Sequence, residues 1–427
     1  MIDEMSSAAD PPSPSEAHIG LKLLLVLGGL ASFGPLSIDM YLPALPRIGA
    51  DLDASAASIA LTLTACTIGL GAGQLVAGPL SDTFGRRRPL FVGLLVFVVF
   101  SLACAAAPDL WSLVAFRFLQ ALGGSAGIVI SRAVARDLRS GVALARLFSA
   151  LMVVNGLAPI LAPVIGGQLV RVTSWRGVFV VLAVIGALLM LAAALFIPES
   201  LPPPRRQPGS LAVTGANYLR LISDLRFMLH VVAGGLAFAA MFAYISGSPF
   251  VLEDYFGLSP QMFSLIFGIN ASGIIIFSRL RWPNPRGVML IGLGLILLGA
   301  TLVLIAALTG VGLPLVLPGF FLITSGYGAA APNVTALALA DHPDVAGSAA
   351  AVYGAVQFVL GGLLAPLAGI GGRSTLVPLG IVLVLLALAA LACGSIPGWA
   401  SGVSAAVAPE RASEQARETG VEVGQAT

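Results

Sequence analysis

Two ionisable side chains interrupt long apolar stretches and are the first candidates for chemistry. Asp39 sits in Ser37-Ile38-Asp39-Met40-Tyr41-Leu42-Pro43, and Arg117 in Phe116-Arg117-Phe118-Leu119-Gln120. A charged side chain costs about 2.5 to 3.5 kcal/mol at a membrane centre and less near an interface, so one that is kept there has a task. Because its ionisation answers to burial and to nearby cations, Asp39 can load and release a proton as its surroundings change. An arginine does not lose its proton in a protein, so Arg117 is a fixed charge that Asp39 or a ligand could neutralise. The competing readings are an Asp39 that caps a helix end at an interface and an Arg117 that snorkels to the surface.

Two further patterns are mechanical. In Gly78-Pro79-Leu80-Ser81-Asp82-Thr83-Phe84-Gly85-Arg86-Arg87-Arg88, Gly78 lets a neighbouring helix approach, Gly85 permits a tight turn, and Arg86 and its neighbours anchor one membrane face. A plain topology-setting loop is the alternative. In Asn155-Gly156-Leu157-Ala158-Pro159-Ile160-Leu161-Ala162-Pro163-Val164-Ile165-Gly166-Gly167, Pro159 and Pro163 each remove a backbone donor while the small residues allow close packing. Such a helix can bend and stay packed, whether or not the bend is used. His18, His230 and His342 and the three cysteines lack metal-ligand spacing, and no Walker A sequence is present. Gly123-Gly124-Ser125-Ala126-Gly127 matches G-x-S-x-G but lies in an apolar run, not on a strand-turn-helix elbow. No metal, no organic cofactor and no enzymatic reaction are expected; a proton is the coupling ion these residues suit.

The elements that must position these residues are transmembrane helices. Of 427 residues, 58% are apolar and 10% charged, and mean hydropathy is +0.98; soluble domains carry roughly 25% charged residues. A net charge of +2 and the lack of a basic stripe with interleaved aromatics argue against a nucleic-acid partner. Apolar runs near 21–44, 56–79, 89–107, 111–135, 147–170, 177–197, 228–250, 260–278, 288–308, 313–340, 346–370 and 375–395 predict twelve spans. Basic residues such as Lys22, Arg86 to Arg88, Arg136, Arg139, Arg205 and Arg206 fall on one side, against Arg47, Arg171, Arg176 and Arg373 on the other. This bias predicts both termini in the cytoplasm. The widest polar gap follows the sixth span. Ser131-Arg132-Ala133-Val134-Ala135-Arg136-Asp137 in span four and Thr335-Ala336-Leu337-Ala338-Leu339-Ala340-Asp341 in span ten match at nearly the offset that relates Leu161-Ala162-Pro163 to Leu364-Ala365-Pro366. The expected architecture is therefore an all-α membrane protein of twelve transmembrane helices in two pseudo-symmetric six-helix bundles. Its segments are a cytoplasmic tail over 1–20, a bundle over 21–197, a cytoplasmic linker over 198–226, a second bundle over 227–396 and a polar tail over 397–427. No Asp or Glu is expected in the apolar interiors of the second bundle.

The loop at Gly78 resembles the signature G-x-L-x-D-x-x-G-R-[RK] of the major facilitator superfamily, and Asp39-Met40-Tyr41-Leu42-Pro43-Ala44-Leu45-Pro46 resembles an element of its Bcr/CflA-type drug-resistance transporters. Arg117-Phe118-Leu119-Gln120-Ala121 is similar to R-x-x-Q-G, and the run ending at Gly166 and Gly167 to the exporter element G-x-x-x-G-P-x-x-G-G, in both cases with Ala replacing Gly. The resemblance spans about Leu21 to Leu391. It implies the major facilitator fold, a monomer in a bacterial cytoplasmic (inner) membrane, and proton-coupled export of phenicol- or bicyclomycin-like drugs. It makes Asp39 and Arg117 the proton-coupling residues. Gly78, Asp82, Gly85 and Arg86 become a conformational latch in which Asp82 meets the start of span eleven. Pro159, Pro163, Gly166 and Gly167 become the bending element, and Tyr41, Gln120, Asn155, Phe242, Tyr244, Tyr327, Tyr353 and Gln357 the candidate cavity wall, where packing is the competing role. Export of an endogenous metabolite fits the same motifs. A nutrient importer would not need the exporter element, and a receptor or scaffold would not need Asp39 and Arg117.

Overall fold

The computed structural model describes residues 14–139, 141–206, 211–279, 284–342, 345–368 and 375–396. Among these residues every regular element is helical. The first span is broken: α1 (Pro14–Ala31) and α2 (Phe33–Asp39) are followed by a 3₁₀ turn at Leu42–Ala44 and by α3 (Leu45–Asp51), with a 48° bend between the segments 21–31 and 33–51. Pro35, Pro43 and Pro46 each remove a helical donor, which keeps this stretch from continuing as one straight helix. The remaining first-half helices are α4 (Ala56–Phe84), α5 (Arg87–Ala105), α6 (Leu110–Leu138), α7 (Gly141–Val172) and α8 (Trp175–Phe196). Side chains end several of them cleanly: Ser55 caps α4 by accepting from the Ser58 amide, and Asp109 caps α6 by accepting from Ser112.

After the linker helix α9 (Leu211–Ser223) come α10 (Leu225–Pro249), α11 (Pro260–Ser278), α12 (Pro285–Thr309), α13 (Leu313–Ala340), α14 (Ala346–Ala368) and α15 (Val377–Ser395). Ten described helices are long and apolar enough to cross a membrane, and the bent first pair makes an eleventh. The 32 residues of α7 occupy the place of the fifth run. The linker contains the helix α9, which buries Leu221 and exposes Leu219 and Ile222. One expectation needs correction. The seventh span does not stop at Phe250: a π-helical turn, Phe250–Tyr255, carries it on through Glu253 and Asp254, so acidic groups do enter the second bundle.

The helices form two groups with matching neighbours. In the first, α6 packs on α4 and α5, and α5 on α8; in the second, α13 packs on α11 and α12, and α12 on α15. The groups meet where α4 lies against α14 and α7 against α11. Two details repeat the symmetry at atomic level. Arg87 donates to the Ala194 carbonyl (3.3 Å) and Arg286 to the Ser395 carbonyl (3.4 Å), each tying the start of one helix to the last turn of another. Gly93 faces Gly123 between α5 and α6, as Gly292 faces Gly326 between α12 and α13. Lipid offers no hydrophobic gain for joining apolar helices, so close backbone approach through small residues supplies the packing.

That contact sets a stability prediction. A Cβ at position 326 would lie 2.5 Å from the Gly292 carbonyl oxygen and 2.8 Å from the Ile296 amide nitrogen, backbone atoms that cannot step aside. Gly326→Leu is expected to cost about 1–3 kcal/mol or more, read as a lower melting temperature in detergent. Gly294, with nothing within 4 Å of its Cβ position, is expected to accept Leu with no measurable change.

Candidate functional site

Arg117 lies on α6 with no exposed surface. Its Nη1 donates to Gln120 Oε1 (2.7 Å) and its Nη2 to the Ser37 carbonyl (2.9 Å). The guanidinium also lies over the rings of Tyr41 (4.8 Å) and Phe179 (5.6 Å). Gln120 Nε2 donates in turn to Ser101 Oγ (2.7 Å), and Tyr41 shares a 2.9 Å hydrogen bond with Thr62. A carbonyl, an amide and two aromatic faces thus compensate the buried cation. Asp39 is the last residue of α2, only 5% exposed. No ion pair joins it to Arg117; Arg117 instead grips the carbonyl of Ser37 in the last turn of α2, where carbonyls lack intrahelical partners and a cation is favourable. The guanidinium therefore holds the backbone that carries Asp39. The turn Leu42–Ala44 that follows Asp39 packs on α10 and α11 of the other half.

The cavity-wall expectations divide. Tyr327 and Gln357 are half-buried and bonded to each other, Gln357 Nε2 donating to the Tyr327 hydroxyl at 2.6 Å. Phe238 packs on Tyr327 (5.9 Å) and on Phe358 (5.4 Å), which gives α10, α13 and α14 a common aromatic corner. Tyr41, Gln120, Phe242, Tyr244 and Tyr353 are buried instead. Tyr41 and Gln120 serve Arg117, Phe242 stacks on Phe238, and Tyr244 accepts from Asn270 (3.0 Å) between Phe267 and Phe320. Helix rotation decides this division, and no residue pattern marks it; the same ignorance hid Phe238 and Phe358. Asn155 falls on α7, but its side chain lies outside the described residues.

At the end of the molecule that carries Arg86, here called the basic end, an ion-pair network ties the first bundle together. Arg86 Nη1 contacts Asp82 Oδ1 (2.5 Å) and donates to Ser81 (2.8 Å), while Nε reaches Asp137 Oδ2 (2.9 Å) at the end of α6. Glu199, just past α8, accepts from the backbone amides of Arg86 and Arg87 and so covers the N-terminus of α5. Gly85 has φ +87°, a left-handed turn that glycine adopts without strain, with Glu199 and Arg206 pressed against it. Asp82 is thus engaged within its own bundle; residues 343 and 344, ahead of α14, are not described. Glu199 and Asp137 were missed as members, although Pro198-Glu199-Ser200 closing an apolar run beside the arginines was a usable sign.

The hydrogen bonds between halves cluster toward the opposite end. Thr64 donates to the Gly362 carbonyl (2.6 Å), Ser264 to the Pro163 carbonyl (2.8 Å) and Gln261 to the Gly167 carbonyl (3.0 Å). Gly166 gives room to the Met40 carbonyl, next to Asp39. Pro163 and Gly167 are therefore contact residues between the halves, whereas the contact of Gly166 lies within the first bundle. At the surface of this end, Trp175 and Arg176 both donate to Asp51 (2.8 Å each), which holds its carboxyl below the ordinary range.

Comparison with known proteins agrees with this architecture. Residues 27–366 match the Major Facilitator Superfamily. The MFS-type transporter YdgK of Bacillus subtilis is 39% identical over 86% of this chain and 93% of its own length. A bicyclomycin resistance protein homolog of Haemophilus influenzae is 29% identical over 83% and 91%. The crystal structure of the nucleoside transporter NupG shares the fold with a TM-score of 0.71 at 14% identity, over 88% of this chain and 98% of that one.

Gln120 provides a test of the arginine anchor. Removing a buried acceptor from a charged donor costs about 1.5–3 kcal/mol, so Gln120→Leu is expected to lower the melting temperature in detergent clearly. Gln120→Glu, which keeps an acceptor for Arg117, is expected to recover most of the loss.

Proposed function

The chain belongs to the major facilitator superfamily, and from that premise we propose that it exports amphipathic small molecules in exchange for protons, bicyclomycin- or phenicol-type antibiotics among them. The observation that carries this reading is Asp39: a buried carboxylate at the end of a broken helix, its backbone held by a permanent cation, three residues before the turn Leu42–Ala44 that packs on α10 and α11 of the other half. A group so placed changes its surroundings whenever the halves rock, which is what coupling requires. The resistance relative supports the drug class, and the aromatic corner of Phe238, Tyr327 and Phe358 with the polar Gln357 suits an amphipathic ligand.

The basic end and both termini lie in the cytoplasm in this reading, following the arginine bias. The contacts of Thr64, Ser264 and Gln261 then close the outer side, and the molecule is inward-facing. A proton loads Asp39 from outside, the carrier turns inward, and an arriving drug displaces the proton. One carboxylate makes one proton per cycle the simplest exchange. Export of a neutral drug then moves one charge inward, worth about 2.3 kcal/mol per 100 mV, whereas export of a monovalent cation is indifferent to the potential. When the cytoplasmic side closes, Asp82 shifts from Arg86 alone to the start of α14 as well.

Substrate-induced proton release from the detergent-purified protein is the direct test, run over an antibiotic panel with wild type and Asp39→Asn. Release by wild type that vanishes in the variant is the expected result; release that persists places the proton elsewhere, and silence across the panel with release by an endogenous metabolite moves the substrate class. For the latch, Asp82→Asn is expected to slow turnover by more than it weakens drug binding. Equal loss of both would end that assignment.

A further inference from the structure

We propose that Glu253 is a second proton-controlled group: it sets whether the end of the molecule opposite the basic loop is closed, and it must be neutral to sit in the closed contact. This rests on the transport reading above and adds to it a control on one gate. Glu253 lies in the π-helical turn Phe250–Tyr255 that prolongs α10. Single π turns inside helices concentrate at functional positions, because the extra residue re-aims the side chains that follow. This turn packs on α3, which belongs to the other half, and on α11. It is therefore part of the contact that must part when this end opens.

Glu253 Oε1 is buried there without a hydrogen-bond partner. An ionised carboxylate with an unsatisfied buried oxygen is costly, so closure of this end and charge on Glu253 oppose each other. The groups around it leave that opposition in place. On its own turn Asp254 adds a like charge and Tyr255 is exposed. On α3, which the turn packs against, the cation is Arg47, and its Nη1 is committed to the Val170 carbonyl on α7. Asp51 on the same helix is held by Trp175 and Arg176. The sequence of α11 contributes no charged side chain. By linkage, closure takes up a proton and opening releases one. With this end outside, an external proton on Glu253 favours closure, the direction in which a proton-loaded exporter must turn.

The test is a distance measurement across this end, with spin labels placed on the exposed surfaces of the two halves and no substrate present, from pH 5 to 9. Wild type is expected to shift from closed toward open as pH rises. Glu253→Gln, which stays neutral, is expected to open clearly less than wild type as pH rises, and Glu253→Asp to keep the wild-type response. Arg47→Gln removes the cation on α3 and is expected to move the opening midpoint to higher pH. A wild-type pH response that survives unchanged in Glu253→Gln, or a wild type that shows none, overturns the proposal. Because Asp39 is itself coupled to the rocking, the comparison is repeated in the Asp39→Asn background, where a shift with pH is expected to remain with Glu253 and to vanish with Glu253→Gln. Because no substrate is used, failure of the antiport reading would appear only in the proton-release assay.

Discussion

The bond from Arg117 to the Ser37 carbonyl is the constraint on which the site depends. A guanidinium with no exposed surface and, among the described residues, no carboxylate partner is an expensive object in a membrane protein. It is tolerable because Nη1 and Nη2 meet a side-chain amide and a helix-end carbonyl and its faces meet Tyr41 and Phe179, which leaves Nε alone without a partner among the described residues. Each compensating group is then pinned by something else: Gln120 by Ser101, Tyr41 by Thr62, Ser37 by the break in the first span. Cation and break are mutually dependent. Without the prolines that interrupt the span, the carbonyl of Ser37 would be taken by its own helix; without the cation, the interrupted turn would present an orphan acceptor to an apolar interior.

An arrangement in which Arg117 does not pair with Asp39 leaves the carboxylate free to change charge. A direct ion pair would fix Asp39 in its ionised form, since a permanent cation a few ångströms away favours the anion strongly in a low-dielectric site. The cation acts through the backbone instead: it sets where Asp39 stands without dictating its protonation. The contact between halves can then decide that protonation, which is the arrangement the proposed cycle needs.

Much of the scaffold was legible in the chain. Apolar run length identified the spans, and the recurring Asp137 and Asp341 segments pointed to the repeat, because each depends on bilayer thickness or on chain order alone. Helix rotation was not legible. Tyr244 and Tyr327 are both tyrosines in small-residue helices of the second half, yet one is sealed between Phe267 and Phe320 and the other is half-buried beside Gln357. What separates them is which neighbour each face meets, and membrane helices carry a weak polar-apolar contrast from which to read that. The seventh span was misjudged for a related reason. Acidic residues at positions 253 and 254 look like the start of a loop, whereas the π turn lets the helix run on and buries an oxygen of each carboxylate.

The glycine contacts explain why such a scaffold can move without coming apart. Within each bundle, Gly93 with Gly123 and Gly292 with Gly326 bring backbones so near that a single added carbon would collide with a carbonyl. Those interfaces are rigid because no side chain is present to repack. Between the bundles the contacts differ in kind: hydroxyl and amide side chains of Thr64, Ser264 and Gln261 reach single carbonyls. Each such bond is worth about 1 kcal/mol net when its partners can be satisfied elsewhere, so a few of them can be exchanged for another set at small cost. Rigid units joined by exchangeable hydrogen bonds can rock, and an ionisable group buried at the joint, where its charge is disfavoured in only one of the two arrangements, can then bias which way they rest.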